Sequence, residues 1–327
     1  MNTSINQKQP VFMRWYEEYR ERRYLADASD EAVLARARDL ISNISTLEQN
    51  GKIGCVHPES ENGFFLWRLF SHLLEESRLR TGNYQGIFMR HGLGGTLMPK
   101  ATSPNLPASD KVLRVSQEQT KLRRIFKFGK RKWMRALLEH GQIRIAPASI
   151  YNDSSLGPAI ADDELSYDLA TAVFDDDILS LHPFQTRLID VFGEPRTSPR
   201  RLTMETNYYV WCASFGLRLR LFDDFEADSV LVVHDAGEFS KRLIQAIRNP
   251  LHGWRFTPCA VHYFDPYHPS SETRNVFACK HFKYLYQEEF RYVFLPPSPA
   301  TKLEPMALTL GPLSDIAEIL DRDQVGL

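Results

Sequence analysis

The sequence carries neither a G-x-G-x-x-G nor a G-x-x-x-x-G-K-[ST] stretch, which removes the Rossmann dinucleotide site and the P-loop as ways of holding a nucleotide. No apolar run approaches the length of a membrane span, and Met1 to Pro10 is polar without an apolar centre. Neither a transmembrane helix nor a signal peptide is therefore read, no membrane partner is expected, and a cytoplasmic location is. Cysteine is scarce: Cys55, Cys212, Cys259 and Cys279 stand far apart, without the paired spacing of a zinc site or a redox motif. His262, His268 and His281 likewise fit no metal spacing, so no metal ligand is assigned. What is present is an ordinary globular composition of 327 residues, 43% hydrophobic and 25% charged, long enough for two domains.

Net charge is only -1, yet it is unevenly spread. Between Lys121 and Arg144 stand Lys121, Arg123, Arg124, Lys127, Lys130, Arg131, Lys132, Arg135 and Arg144 against Glu139 alone. This segment reads either as a solvated helix face or as a contact for phosphates or nucleic acid. Between Asp162 and Asp190 the sign reverses.

The first hundred residues read as helices: Val11 to Leu25, a run opened by the N-cap Ser29, and Gly63 to Leu79. Pro99 to Ser109 has linker composition, which divides the chain into a helical N-terminal domain with linker (1–110) and an α+β domain (111–327). In the second domain strands are expected at Arg124–Phe128, Gln142–Ala146, Tyr208–Phe215 and Ser229–His234, with weaker ones at Cys259–Phe264 and Val276–Lys280. Helices are expected at Lys130–His140, with Trp133, Ala136 and Leu137 on one side, at Gly237–Asn249, and at Ser314–Leu320. The acidic region should be helical or irregular. The order of elements gives an α+β class with a mixed or antiparallel sheet, not a βαβ alternation.

The stretch from Tyr284 to Phe294 predicts a strand with Gln287, Glu289 and Arg291 on one side and Phe290, Tyr292 and Phe294 on the other. A carboxylate beside a cation and an amide makes either a site or an ion-pair ladder on an exposed sheet face.

The segments Ile125–Phe128, Gly141–Asp153, Tyr209–Phe215, the Gln287-Glu288-Glu289-Phe290-Arg291 run and Leu308–Pro312, in that order, resemble a bacterial family called domain of unknown function 2971 over roughly residues 121 to 320. Two departures from its pattern stand out: Gln287 replaces the first glutamate of the E-x-E-aromatic-R signature, and Trp211-Cys212-Ala213 replaces the usual residues before Ser214. The plan of a basic first strand, a central strand ending in serine and a late Q-x-E is also similar to ADP-ribosyltransferases. That resemblance implies an enzyme of this type, a bacterial toxin or phage-defence effector, which cleaves NAD as substrate and transfers ADP-ribose to an unknown protein or nucleic-acid acceptor. By the same resemblance Glu289 would be catalytic, Gln287 would orient the acceptor, and Ser214 would support Glu289 by a hydrogen bond. Lys127, Phe128, Tyr151, Asn152, Trp211 and Arg291 would hold the cofactor, with the rings stacking on its flat bases. Two alternatives remain open. One is a noncatalytic nucleic-acid-binding module using residues 121–144. The other is a metal-dependent nuclease with Asp162, Asp163 and Glu164 on magnesium.

Overall fold

The computed structural model describes residues 10–48, 51–100, 124–170, 186–190, 200–267 and 275–325. Most of the expected linker, Lys121, Arg123, the Asp175-Asp176-Asp177 run and His268 lie outside the described residues. The chain divides into two compact units, Met1–Thr46 with Gly54–Pro99, and Leu47–Ile53 with Lys100–Leu327.

The first unit is built from helices α1 (Val11–Arg22), α2 (Asp30–Ile44), α3 (Glu61–Thr81) and α4 (Gly86–His91). Ser29 caps α2 by accepting from Ala32 N at 3.2 Å, and Ser60 caps α3 by accepting from Gly63 N at 3.1 Å. Each serine satisfies an amide that the helix leaves unbonded in its first turn. Tyr19, Val33, Ala37, Leu40, Leu66 and Leu73 are buried in this unit.

The second unit is α+β, and its main sheet is antiparallel throughout. Its strands are β1 (Ile125–Gly129), β2 (Gln142–Pro147), β6 (Tyr209–Ser214), β7 (Ser229–Val233), β8 (Arg255–Ala260), β11 (Glu289–Leu295), β12 (Met306–Thr309) and β13 (Ala317–Asp321). They run in the order β8-β11-β6-β1-β7-β13, with β2 joined to β6 and β12 to β2. A second sheet pairs β3 (Ser166–Leu169), β5 (Arg200–Met204) and β4 (Thr186–Asp190), and β9 (His262–Phe264) pairs in parallel with β10 (Cys279–His281). The strand β3 stands where the acidic region was expected to be helical or irregular.

Alternation puts a separate apolar layer on each face of the main sheet. On one face Trp211, Tyr292, Phe294 and Val233 pack under α5 (Arg131–His140) and α7 (Ala236–Ile247), which contribute Met134, Leu137, Phe239 and Leu243. On the other, Val210, Val293 and Leu295 pack against Leu169, Leu202 and Met204 of the second sheet. The short helix α6 (Arg220–Asp224) precedes β7.

Three expectations are corrected. The helix expected at Ser314–Leu320 is instead the edge strand β13, paired Ala317 to Val233 through Asp321 to Ser229. The open edge of the valine-rich β7 takes up this segment, so tertiary pairing overrides its local helical preference. Trp133 does not share the buried side of α5: it is 60% exposed, and Met134 and Leu137 face the core. Gln287 is not in the strand. It ends a 3-10 helix, Phe282–Gln287, and Glu288 at φ 44° turns the chain before β11 begins at Glu289.

Candidate active site

Strand β6 holds the key position. Along one edge it is paired with β11 over its whole length, from Glu289 opposite Ser214 to Phe294 opposite Tyr209. The other edge is shared by two strands. β1 meets it only at Phe126 opposite Ser214, and β2 only at Ala146 opposite Val210 and Pro147 opposite Tyr209. The sheet forks between them, and Trp211 to Ala213 have no ladder partner on that edge among the described residues. A buried carbonyl in this position needs a donor from elsewhere. Lys127 supplies it, with Nζ donating to Cys212 O at 2.7 Å.

A cleft of about 190 Å³ opens at this fork, lined by Lys127, Phe128, Tyr151, Glu164, Cys212, Ser214, Lys280, Gln287 and Glu289 among others. Of the residues expected from the sequence, it gathers Lys127, Phe128, Tyr151, Ser214, Gln287 and Glu289. It does not gather Asn152, Trp211 or Arg291. Asn152 is exposed at the end of the 3-10 helix Ala148–Asn152. Trp211 points to the opposite layer, where its ring stacks 5.2 Å from Phe239, because strand alternation sends it away from Cys212 and Ser214. Arg291 is fully buried behind Glu289, so no ligand reaches it.

Glu289 and Arg291 do share a face of β11, but that face is not exposed, so the surface ladder is excluded. Arg291 Nε donates to Glu289 Oε1 at 2.7 Å, and its two terminal nitrogens reach the two oxygens of Glu164 at 2.5 and 2.8 Å. Nη1 also donates to Phe277 O at 3.0 Å. Lys280 Nζ donates to Glu289 Oε2 at 2.9 Å and to Gln287 Oε1 at 3.2 Å, and it lies 3.7 Å from Glu164 and 3.8 Å from Asp162. The buried charges thus answer one another, as charges removed from water must.

Gln287 and Ser214 are committed to the scaffold. Gln287 Nε2 donates to Ala159 O at 2.7 Å, which joins the turn before β11 to the loop beside Glu164. Ser214 Oγ donates to Gln287 O at 2.7 Å, so it fixes the entry into β11 and does not hydrogen-bond the Glu289 carboxylate as expected. The Glu289 amide donates to Tyr263 Oη at 2.8 Å.

Electrostatics divide the titratable groups. Burial alone would raise the pKa of Glu289, but Arg291 and Lys280, with hydrogen bonds from Arg291 and Cys212, hold it well below the usual carboxylate range. Burial pushes Glu164 up to about 7 against the pull of Arg291 and Lys280. Burial would lower Lys280, yet Glu289, Glu164 and Asp162 outweigh it and raise its pKa well above the ordinary value. Lys127 is lowered by burial, which Cys212 and Glu289 oppose without cancelling. The Cys212 thiol is raised well above its ordinary value, chiefly by burial and then by Glu289.

Sequence reasoning missed Lys280 as a site residue and gave Glu164 only a metal role. A lysine set inside the mostly apolar run Val276-Phe277-Ala278-Cys279-Lys280-His281-Phe282 was the available signal, since a buried lysine requires a partner. The acids proposed for magnesium diverge. Asp163 binds the amides of Leu165 and Ser166, both at 3.1 Å, and Arg201 at 3.0 Å, whereas Glu164 turns to Arg291. Among the described residues no group of three or more His, Cys, Asp or Glu side chains is placed to hold a metal ion, and no helix is long and apolar enough to cross a membrane.

The described part of the basic run is also divided. Lys127 lines the cleft at the fork with its Nζ on Cys212 O, Arg124 is buried, and Arg131 pairs with Asp321 at 2.9 Å. Lys130, just before α5, and Lys132 and Arg135 on it remain exposed with Trp133.

No family model matches the chain, and neither the curated proteins nor the solved structures contain a match to it.

Proposed function

We propose that the chain is an ADP-ribosyltransferase-type enzyme that cleaves the nicotinamide–ribose bond of NAD in this cleft and passes ADP-ribose to an acceptor. The observation that carries the reading is the meeting of Lys127, Ser214 and Glu289, from three neighbouring strands, at one cleft. Breaking that bond builds positive charge on the ribose, as glycoside cleavage does. Glu289 is an ionised carboxylate facing the space where that charge would develop. Its oxygens accept from Arg291, Lys280 and Cys212, which leaves one of their four lone-pair sites for a ribose hydroxyl. Lys280 and Arg291 temper the field of Glu289. Around them, however, stand three carboxylates, Asp162, Glu164 and Glu289, so the ion cluster carries an excess of negative charge once Glu164, raised to about 7 by burial, is ionised. Preorganised charge of this sign favours a transient cation.

The cleft volume, about 190 Å³, is below the roughly 300–1,000 Å³ of pockets that enclose a drug-sized ligand. It therefore suits the nicotinamide-ribose end of NAD, leaving the adenylate outside, with Phe128 and Tyr151 as flanking rings. The test is release of nicotinamide from NAD by the purified full chain, followed by chromatography. Glu289→Gln keeps the shape and removes the charge, and should lower release by roughly a hundredfold or more, with its fold checked by circular dichroism. No release from the wild-type chain, or undiminished release from a folded Glu289→Gln variant, would overturn the proposal.

A further inference from the structure

Most side-chain donors that line the cleft already have a protein acceptor. Lys127 Nζ donates to Cys212 O, Ser214 Oγ to Gln287 O and Gln287 Nε2 to Ala159 O, each at 2.7 Å. Lys280 donates to Glu289 and Gln287, and the Cys212 thiol is bonded to Glu289. Tyr151 differs from all of these. Its main-chain carbonyl accepts from Asp162 N at 2.8 Å, but its hydroxyl has no hydrogen-bond partner among the described residues. Nor is that oxygen sealed inside the protein, and the open space that the residue lines is the cleft. The ring is held in place by the 3-10 helix Ala148–Asn152 and by the apolar layer that contains Val210 and Val293. Burial raises the pKa of the hydroxyl, Cys212, Glu164 and Glu289 raise it further, and Lys280 only partly opposes them. The phenol therefore keeps its proton, and a largely buried donor without an acceptor costs free energy that a ligand can recover.

We infer that Tyr151 is a substrate-binding residue whose hydroxyl donates to the ribose hydroxyl beside the scissile bond, the same group from which Glu289 accepts. The inference rests on the reading of the cleft as a site of nicotinamide–ribose cleavage. Glu289 has one lone-pair site left after Arg291, Lys280 and Cys212 are counted, and Tyr151 has one proton to give. A hydroxyl meets both needs at once, since it accepts one proton and donates another. An ether oxygen would serve Tyr151 alone, and a methylene neither. The hydroxyl next to the anomeric carbon of a ribose is the 2′-hydroxyl, so the cleft is matched to a ribosyl group and not to its 2′-deoxy form. A site built to bond a hydroxyl rejects the analogue that lacks it, because its own polar groups are then left unpaired.

The experiment measures kcat/KM for nicotinamide release by the full chain from NAD and from NAD whose nicotinamide ribose lacks the 2′-hydroxyl. Both substrates are given to the wild type and to Tyr151→Phe, which deletes one oxygen and keeps the ring. The preference for NAD over the deoxy form should fall by about tenfold in the variant, as expected for the loss of one hydrogen bond in a site shielded from water. The different intrinsic lability of the two glycosides cancels, because the same pair is compared on both proteins. The melting temperature should stay within about one degree of wild type, because no protein partner of the hydroxyl is lost. A preference unchanged by Tyr151→Phe would overturn the inference and leave the NAD reading standing. A melting temperature lower by several degrees would also overturn it, by showing that the hydroxyl serves the fold. No release of nicotinamide from NAD by the wild-type chain would remove the NAD reading, and this inference with it.

Discussion

Arg291→Met removes the one guanidinium that joins both buried carboxylates. Arginine and methionine fill similar lengths, so the loss is mainly of charge and hydrogen bonds. Three hydrogen bonds disappear, to Glu289 at 2.7 Å, to Glu164 at 2.8 Å and to Phe277 O at 3.0 Å, together with the second Glu164 contact at 2.5 Å. Lys280 is then the one cation among Asp162, Glu164 and Glu289, and Glu164, no longer held down by Arg291, can lose its buried charge only by taking up a proton. Breaking such a pair costs about 3–5 kcal/mol, a large share of the roughly 5–15 kcal/mol that keeps a domain folded. The measurement is urea unfolding at pH 8, above the value of about 7 to which burial pushes Glu164. It is read by hydrogen exchange in peptides covering β11, so that unfolding of the first unit does not enter. Glu164→Gln in the same background removes the stranded charge. The double variant should therefore be more stable than the sum of the two single losses by more than about 1 kcal/mol. A loss below about 1 kcal/mol for Arg291→Met, or strict additivity, would refute the view that these charges act as one unit.

Two further outcomes follow from the same coordinates. Glu164 binds its proton more tightly folded than unfolded, since its pKa rises from 4.5 to about 7. Between those values the folded chain holds a proton that the unfolded chain has released, so this group's contribution to stability falls as pH rises through the window. Glu164→Gln should flatten that part of the profile of melting temperature against pH, and an unchanged slope would count against the raised value. Gly141, at φ 66°, ends α5 where an added Cβ would stand 2.1 Å from Gly311 O. Gly141→Ala should cost about 1–2 kcal/mol for the left-handed backbone plus the overlap, and lower the melting temperature by about 2–4 °C for each kcal/mol. A melting point within a degree of wild type would contradict this.

The α+β class and most strands of the main sheet were legible because their signals are local. Valines at 230, 232 and 233, the alternation through Phe290, Tyr292 and Phe294, and the stop at Gly141 each act within a few residues. Lys127, Ser214 and Glu289 were legible as candidates because each sits on such a strand. What escaped was set by distant partners. Glu164 lies 127 residues from Arg291, and nothing near either residue in the chain announces the pairing. Lys280 looked like an unremarkable strand end, and Trp211 was assigned to the cleft although parity along β6 sends it the other way. The segment near residue 317 has helical preference by itself and becomes a strand only because β7 offers an unpaired edge.

The hollow at the fork is made by connectivity before it is made by side chains. Two strands lay claim to one margin of β6 and neither covers its middle, so the gap would persist if any single wall residue were made larger or smaller. Trimming Phe128 or Tyr151 would alter its outline, whereas closing it would require β1 or β2 to advance along β6 and abandon partners in β7 or β12. Variation among lining positions can thus retune what the chamber admits while the chamber itself is kept by the path of the backbone.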